Sequence, residues 1–312
     1  MIKKRPFGST GVEVSEIGFG GWSIGERQWG SPDLDQSTAA LRAALDAGVT
    51  FFDTAQEYGH TKSEEVFGEI LGPREDVFIA TKTGKYWEGE KFCTDYSPEY
   101  IVSSVEGSLR RLRRERIDLY QLHNPGPEVS ARPETWEALQ KLQQQGKIRF
   151  YGSSLSSMDE LRAAIDNGCA AVQLMVHMAD VREMPLLRAA AEAGLAVIVR
   201  TPLAWGALTG KYKIPFKLPE SDFRSPGHWG HKTFTKYVQR AQELRFLEGP
   251  GQTLAQAAIR YVLSLEGVSV VIPGAKTPEQ LAQNVAAAEG RLTAEQLAKI
   301  AELQARWARE EG

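Results

Sequence analysis

The sequence predicts an α/β protein: a (β/α)8 TIM barrel with an N-terminal β-hairpin and an extra C-terminal helix. Three observations predict it. Eight short apolar runs recur along the 312 residues, and none alternates strictly, as expected of parallel strands covered on both faces. Amphipathic stretches with three- and four-residue apolar spacing lie between them. The length suits one barrel, since such barrels reach ~250 residues and more as one unit, so residues 1–312 read as a single domain.

Arg5–Ser15, with Gly8-Ser9-Thr10-Gly11 at its middle, reads as a hairpin closing the barrel bottom. The eight runs follow at Ile17–Gly20, Val49–Phe52, Val77–Ala80, Ile117–Leu122, Ile148–Gly152, Ala170–Leu174, Ala196–Val199 and Val268–Ile272. Helical spacing is plain in Val102, Val105, Leu109 and Leu112, and again in Trp136, Leu139 and Leu142. Gly48, Gly146 and Gly194 stand where helices should stop. Thr61-Lys62-Ser63-Glu64 fits a capping box opening the second barrel helix. Lys211–Thr233, carrying Pro215, Pro219 and Pro226, reads as a long functional loop. Leu297, Ile300, Leu303 and Trp307 mark the extra C-terminal helix.

The composition narrows the function. A formal charge of −3 gives no general reason to bind nucleic acid or an anionic membrane. No run approaches the ~18 apolar residues of a membrane span. Met-Ile-Lys-Lys-Arg runs into Pro6-Phe7-Gly8 with no apolar stretch, so no secretory leader is expected. Two cysteines, Cys93 and Cys169, fit a reducing compartment. A cytoplasmic protein is the expectation.

In such a barrel the chemistry gathers at the C-terminal ends of the strands. The second run ends in Asp53, followed by Thr54-Ala55-Gln56-Glu57-Tyr58-Gly59. The third ends in Lys82 and the fourth in His123. Neighbouring strands thus present a carboxylate, an ammonium and an imidazole at one rim, with a tyrosine one loop away. Each residue alone has a plainer reading as a turn cap, a solvated lysine, a packed histidine or a loop aromatic. All four on consecutive strand ends argue for a site.

These segments resemble the aldo-keto reductase family over nearly the whole chain. The matching stretches are Phe52-Asp53-Thr54-Ala55 through Tyr58-Gly59 and Ser63-Glu64, then Asp118–His123, Gly146-Lys147-Ile148-Arg149, Pro202-Leu203 through Leu208-Thr209-Gly210-Lys211, and Ile272-Pro273-Gly274-Ala275 through Asn284. The resemblance implies reduction of aldehydes or ketones, small-molecule carbonyl substrates, with NADPH and with NADH as a possible substitute. It places the four catalytic positions on Asp53, Tyr58, Lys82 and His123. A tyrosine hydroxyl, with an unperturbed pKa of roughly 10, is a weak acid at neutral pH. A neighbouring ammonium favours its phenolate. Tyr58 is then the proton donor, Lys82 its activator, Asp53 the anchor of Lys82, and His123 a hydrogen-bond donor to the carbonyl.

For the cofactor, the resemblance points to Gly21 and Trp22 after the first strand, Ser154 after the fifth and Gln173 on the sixth. It also points to Arg200, Thr201, Pro202, Leu203, Gly206, Leu208 and Lys211 after the seventh strand, and Gly274, Lys276, Thr277, Gln280 and Asn284 after the eighth. Four positions depart from the pattern: Lys276 is displaced along its loop, Gln280 stands where an arginine often binds the 2′-phosphate, and two others face the nicotinamide. Leu155 replaces an asparagine that binds the carboxamide, and Arg200 stands where many members stack a tyrosine on the nicotinamide. A planar guanidinium can stack there, but its charge disfavours the cationic oxidised ring. Lys276 and Thr277 are the expected partners of the 2′-phosphate, beside a helix N-terminus suited to anions. Two other roles stay open: oxidation of a polyol or sugar alcohol, and a cofactor-binding redox-sensing subunit of another protein.

Other features are read plainly. The basic run Arg110–Arg116 reads as the solvated end of a helix. His228-Trp229-Gly230-His231 is read as loop rather than metal site. Met175, Met178 and Met184 are candidates for the pocket or the core. Trp22, Trp29, Tyr86, Trp87 and Trp205 are expected on rim loops around an apolar pocket. The loops Gly25–Asp33, Tyr86–Tyr96, Gly126–Ala131 and Tyr212–His231 would set the substrate.

Overall fold

The computed structural model describes residues 2–25 and 33–311. Trp29 and most of the Gly25–Asp33 loop lie outside the described residues.

Two strands, β1 (Lys4–Pro6) and β2 (Glu13–Ser15), form the antiparallel N-terminal hairpin. The barrel strands are β3 (Phe19–Gly20), β4 (Phe51–Asp53), β5 (Phe78–Thr83), β8 (Ile117–His123), β9 (Ile148–Ser154), β10 (Ala171–Met175), β11 (Ala196–Arg200) and β12 (Val268–Ile272). They pair in parallel in chain order. Parallel bridges from Ile17 to Val271 and Gly20 to Gly274 bring the first strand against the last and close the ring. Each of the eight apolar runs overlaps one of these strands.

The barrel interior is filled by side chains of the strands and capped by the hairpin. The Phe7 ring packs tilted against Phe78 and Phe51, with ring centres 4.9 Å and 5.6 Å away, beside Ala80, Leu119, Ile198 and Val270. A larger apolar layer lies between the strands and the outer helices. Those helices are α1 (Leu34–Asp46), α2 (Lys62–Leu71), α3 (Pro98–Leu112), α4 (Pro127–Ser130), α5 (Pro133–Gln144), α6 (Met158–Asp166), α7 (Met184–Glu192), α8 (His231–Glu243), α9 (Leu254–Leu263), α10 (Pro278–Ala286) and α11 (Ala294–Glu311). The glycines expected to end α1, α5 and α7 all take positive φ, at 84°, 75° and 76°, which a side chain would resist. In α11, Ile300 and Trp307 are buried, as its spacing predicts. No helix among the described residues is long and apolar enough to cross a membrane.

Three local expectations are overturned. Thr61 does not cap α2 through its side chain: its φ is +75°, and its hydroxyl donates to Glu65 at 2.9 Å instead. Glu64, the expected partner in the box, is fully buried and accepts from Thr81 and Arg111. Residues 86–96 are not an irregular loop but mostly a second hairpin, β6 (Lys85–Glu88) with β7 (Lys91–Thr94). Gly84, at φ +97° and packed under the Tyr96 ring, turns the chain from the barrel into it. The basic run after α3 is only partly solvated. Arg111 pairs with buried Glu64, and Arg114 donates to the carbonyls of Leu71 and Arg74.

Candidate active site

At the C-terminal rim the four candidate catalytic residues come together. Lys82 projects from β5 and is fully buried. Its Nζ donates to Asp53 Oδ1 at 2.6 Å, to the Thr54 carbonyl at 2.9 Å and to the Tyr58 hydroxyl at 3.2 Å. The ammonium also lies 4.9 Å from the centre of the Tyr58 ring. Burial holds Lys82 below the ordinary lysine value, opposed by the charge and hydrogen bond of Asp53. Asp53 in turn accepts at Oδ2 from Gln173 Nε2 at 2.8 Å and Gln121 Nε2 at 3.3 Å. The carboxylate is thus fixed by three donors from three different strands.

His123 ends β8 and stands edge-on to Tyr58, with ring centres 5.7 Å apart. Burial, then the charges of Lys82, Lys85 and Arg200, push its pKa well below the usual value. The ring is therefore neutral near pH 7, and its 3.5 Å approach to Glu57 is a polar contact rather than an ion pair.

Asp53, Tyr58 and His123 line one end of a cleft of about 1020 Å³. Its aromatic walls include Trp22, Trp87, Phe92, Trp205 and Trp229. Tyr86 stands outside this wall and stacks on Tyr100 at 4.7 Å. The wall of β11 and its loop is built from Arg200, Thr201, Pro202, Leu203, Gly206 and Lys211. Past β12 come Gly274, Lys276, Gln280 and Asn284. Of the remaining candidates, Gly21, Ser154, Leu208 and Thr277 do not line the cleft. Gly21 packs against Ser63, and Leu208 is fully buried. Ser154 donates to Asn124 Oδ1 at 2.7 Å, and Thr277 caps α10 by accepting from the Gln280 N–H. Leu155, the departure beside Ser154, is fully buried in the core.

The far end of the cleft is cationic. Lys211, Arg224 and Lys276 line it together, and Arg224 is held by a bidentate pair with Asp222 and by the Trp205 carbonyl. Burial, then the nearby charge of Arg224 and more weakly that of Lys211, hold the Lys276 ammonium down to about 8 despite Asp222. Gathering cations where they depress one another is costly and suits an anionic ligand. Arg200 adds a guanidinium whose buried Nε lacks a hydrogen-bond partner. The α10 N-terminus and these cations fit the phosphates of a dinucleotide. Arg200 fits a stacked ring.

Sequence reasoning missed several of these contributors. Arg224, Glu57, Phe92 and Trp229 all line the cleft; Glu57 sits inside the family-like Asp53–Gly59 stretch with no role assigned to it, and the loops carrying the other three offered no interpretable pattern. The Asp222-Phe-Arg224 spacing was the available signal, since a bidentate ion pair two residues apart marks a rigid turn rather than a mobile loop. The methionines divide: Met175 lines the cleft, whereas Met178 is core. His228 and His231 each engage a backbone carbonyl, of Glu220 and Arg224.

Comparison with known proteins supports this fold and family. The sequence model of the Aldo/keto reductase family matches residues 16–305. The chain is 35% identical over 283 residues to the aldo-keto reductase YhdN of Bacillus subtilis, covering 87% of this chain and 84% of that one. It is 29% identical to the NADH-specific methylglyoxal reductase of Escherichia coli, covering 92% and 93%. The solved glycerol dehydrogenase of Gluconobacter oxydans superposes with a TM-score of 0.84 at 32% identity, covering 97% and 95%. Fold, rim chemistry and sequence relatives converge, and the chain belongs to the aldo-keto reductase family of NAD(P)H-dependent oxidoreductases.

Proposed function

We propose that this enzyme reduces an aldehyde or ketone to the alcohol, prefers NADPH, and uses Tyr58 as the proton donor. The observation that carries this reading is the fully buried Lys82 ammonium, bridging Asp53 at 2.6 Å and the Tyr58 hydroxyl at 3.2 Å. Bound nicotinamide supplies the hydride; the protein supplies the proton and the geometry. Tyr58 gives its proton to the carbonyl oxygen as negative charge develops there. Lys82, close to the phenol oxygen, stabilises the phenolate left behind. Asp53 holds Lys82 in place, with Gln121 and Gln173 holding Asp53. Neutral His123 donates an N–H to the same carbonyl oxygen and orients it.

The cofactor-holding residues follow from the cleft. Arg200 would lie against the nicotinamide, and Gln173, whose Nε2 is taken by Asp53, would have Oε1 left for the carboxamide. Gly206–Lys211 and Arg224 hold the pyrophosphate, and Gln280 and Asn284 the adenosine. Lys276 would take the 2′-phosphate beside the α10 N-terminus, which Thr277 caps from outside the cleft. The cationic end of the cleft at Lys276 supports NADPH, whereas the likeness to an NADH-specific reductase supports NADH. The likeness to a protein named glycerol dehydrogenase supports alcohol oxidation as a second reading, with Tyr58 taking the proton back. The Arg200 charge predicts tighter binding of the reduced cofactor than of the cationic oxidised form.

The test is reduction of an activated aromatic aldehyde with NADPH and NADH in parallel, wild type beside Tyr58→Phe. Turnover lost in the variant while it still binds cofactor supports the assignment. Equal turnover in both rules Tyr58 out as donor.

A further inference from the structure

A second cavity, of about 410 Å³, adjoins the cleft. Lys85, Thr94, Asp95, Ser97, Asn124 and Arg132 contribute to its wall, and Lys85 and Asn124 line both spaces. Asn124 directly follows His123 in the chain. The side cavity therefore meets the cleft beside the histidine assigned to the carbonyl.

Its two cations lack side-chain partners among the described residues. Lys85 opens β6 and is half-buried, yet its ammonium makes no hydrogen bond or ion pair with any described residue. Glu57 is near enough to favour its charged form but not near enough to pair with it, and burial together with Arg200 disfavours that form. Arg132, at the start of α5, is exposed and makes no side-chain hydrogen bond or ion pair with a described residue, so it adds positive charge to this wall without a burial cost. The one carboxylate on this wall, Asp95, accepts from the Ser97 backbone N–H at 2.8 Å. A cation kept partly from water and left unpaired costs free energy, which an anionic ligand recovers. His123 feels the same field, since Lys82, Lys85 and Arg200 all disfavour its protonation.

We infer that the substrate is an anionic carbonyl compound, with its carbonyl between Tyr58 and His123 and its carboxylate or phosphate on Lys85 and Arg132. This rests on the carbonyl-reduction reading above and names the class of substrate. The carbonyl end meets aromatic walls at Trp87 and Phe92; the charged end passes Asn124 into the side cavity. A neutral aldehyde or polyol would leave both cations unpaired.

Matched substrates test it: 4-carboxybenzaldehyde against its methyl ester, and glyceraldehyde 3-phosphate against glyceraldehyde. A charge-assisted contact should raise kcat/KM of the charged member roughly tenfold or more. The better of the two charged compounds tells carboxylate from phosphate. Lys85→Met should lower the charged-to-neutral ratio by roughly the same factor, Lys85→Arg should keep it, and Arg132→Ala should lower it partly. No charge preference in the wild type, or a ratio unmoved by Lys85→Met, overturns the inference. If neither member of a pair turns over, carbonyl reduction itself fails. Binding of 4-carboxybenzyl alcohol to cofactor-loaded enzyme, read by tryptophan fluorescence, then decides. Weakening in Lys85→Met supports the anionic subsite, and equal binding in both proteins refutes it.

Discussion

Replacing Asp53 by Asn removes the carboxylate paired with Lys82, leaving only the weaker influence of Glu57, while keeping the shape of the side chain. The Lys82 side chain is fully buried and that of Asp53 nearly so, 2.6 Å apart. Without the carboxylate, Nζ keeps only the Thr54 carbonyl and the Tyr58 hydroxyl. Breaking one side of a buried pair typically costs about 3–5 kcal/mol. Lysine has an escape, because it can lose its proton. A neutral amine at pH 7 costs about 1.36 kcal/mol for each pH unit below the free value of about 10.4, which caps the loss at about 4.6 kcal/mol. The folded-state value in the variant is depressed further below the unfolded one. Its deficit is therefore largest at low pH and shrinks as pH rises toward the unfolded value, with a cap of about 1.9 kcal/mol at pH 9. Urea unfolding of wild type and variant at pH 7 and pH 9 measures both numbers. Asp53→Asn/Lys82→Met, with the pair removed altogether, should recover much of the loss. A deficit below about 1 kcal/mol, or one that does not shrink between pH 7 and 9, would refute the view that Asp53 stabilises a buried charge.

Four further outcomes are expected. Lys276→Met should weaken NADPH by roughly tenfold relative to NADH, the worth of one charge-assisted contact, as measured by fluorescence titration. Because burial and neighbouring cations hold Lys276 at about 8 and an anion favours its charged form, NADPH affinity should fall as pH rises past that value, and Lys276→Met should flatten the slope. For His123, held below its usual value, kcat/KM should stay level through the ordinary histidine range; an acid limb centred at about 6.5 would contradict a neutral ring. Gly68→Ala should destabilise α2 against α3 by about 3 kcal/mol or more in thermal or urea unfolding, because its Cβ would sit 1.8 Å from the Arg111 carbonyl oxygen.

The barrel was legible because its strands are apolar on both faces. Runs such as Val268–Ile272, buried throughout, stand out from the amphipathic helices beside them. The rim residues were legible for the same reason, since a charged residue ending an apolar run has few places to go. Residues whose setting depends on distant chain were not legible. Thr61 has the composition of a helix cap, but its left-handed backbone and the burial of Glu64 against Arg111 come from the packing of α2 on α3. The β6–β7 hairpin hides in a polar stretch because Lys85–Glu88 and Lys91–Thr94 are partly or fully exposed and carry no core-facing alternation. Gln173 could be placed on its strand but not aimed: only the closed barrel brings its amide to Asp53, 120 residues earlier in the chain.

The proton donor is tested most directly by a single turnover. NADPH-loaded wild type and Tyr58→Phe are mixed with saturating aldehyde, and the loss of the reduced nicotinamide absorbance is followed by stopped flow, with cofactor affinity measured separately. With Tyr58 as donor, the transfer step slows by roughly 10²–10⁴-fold while the NADPH dissociation constant changes little. A variant that transfers at close to the wild-type rate would contradict that role and return the assignment to His123 or to water.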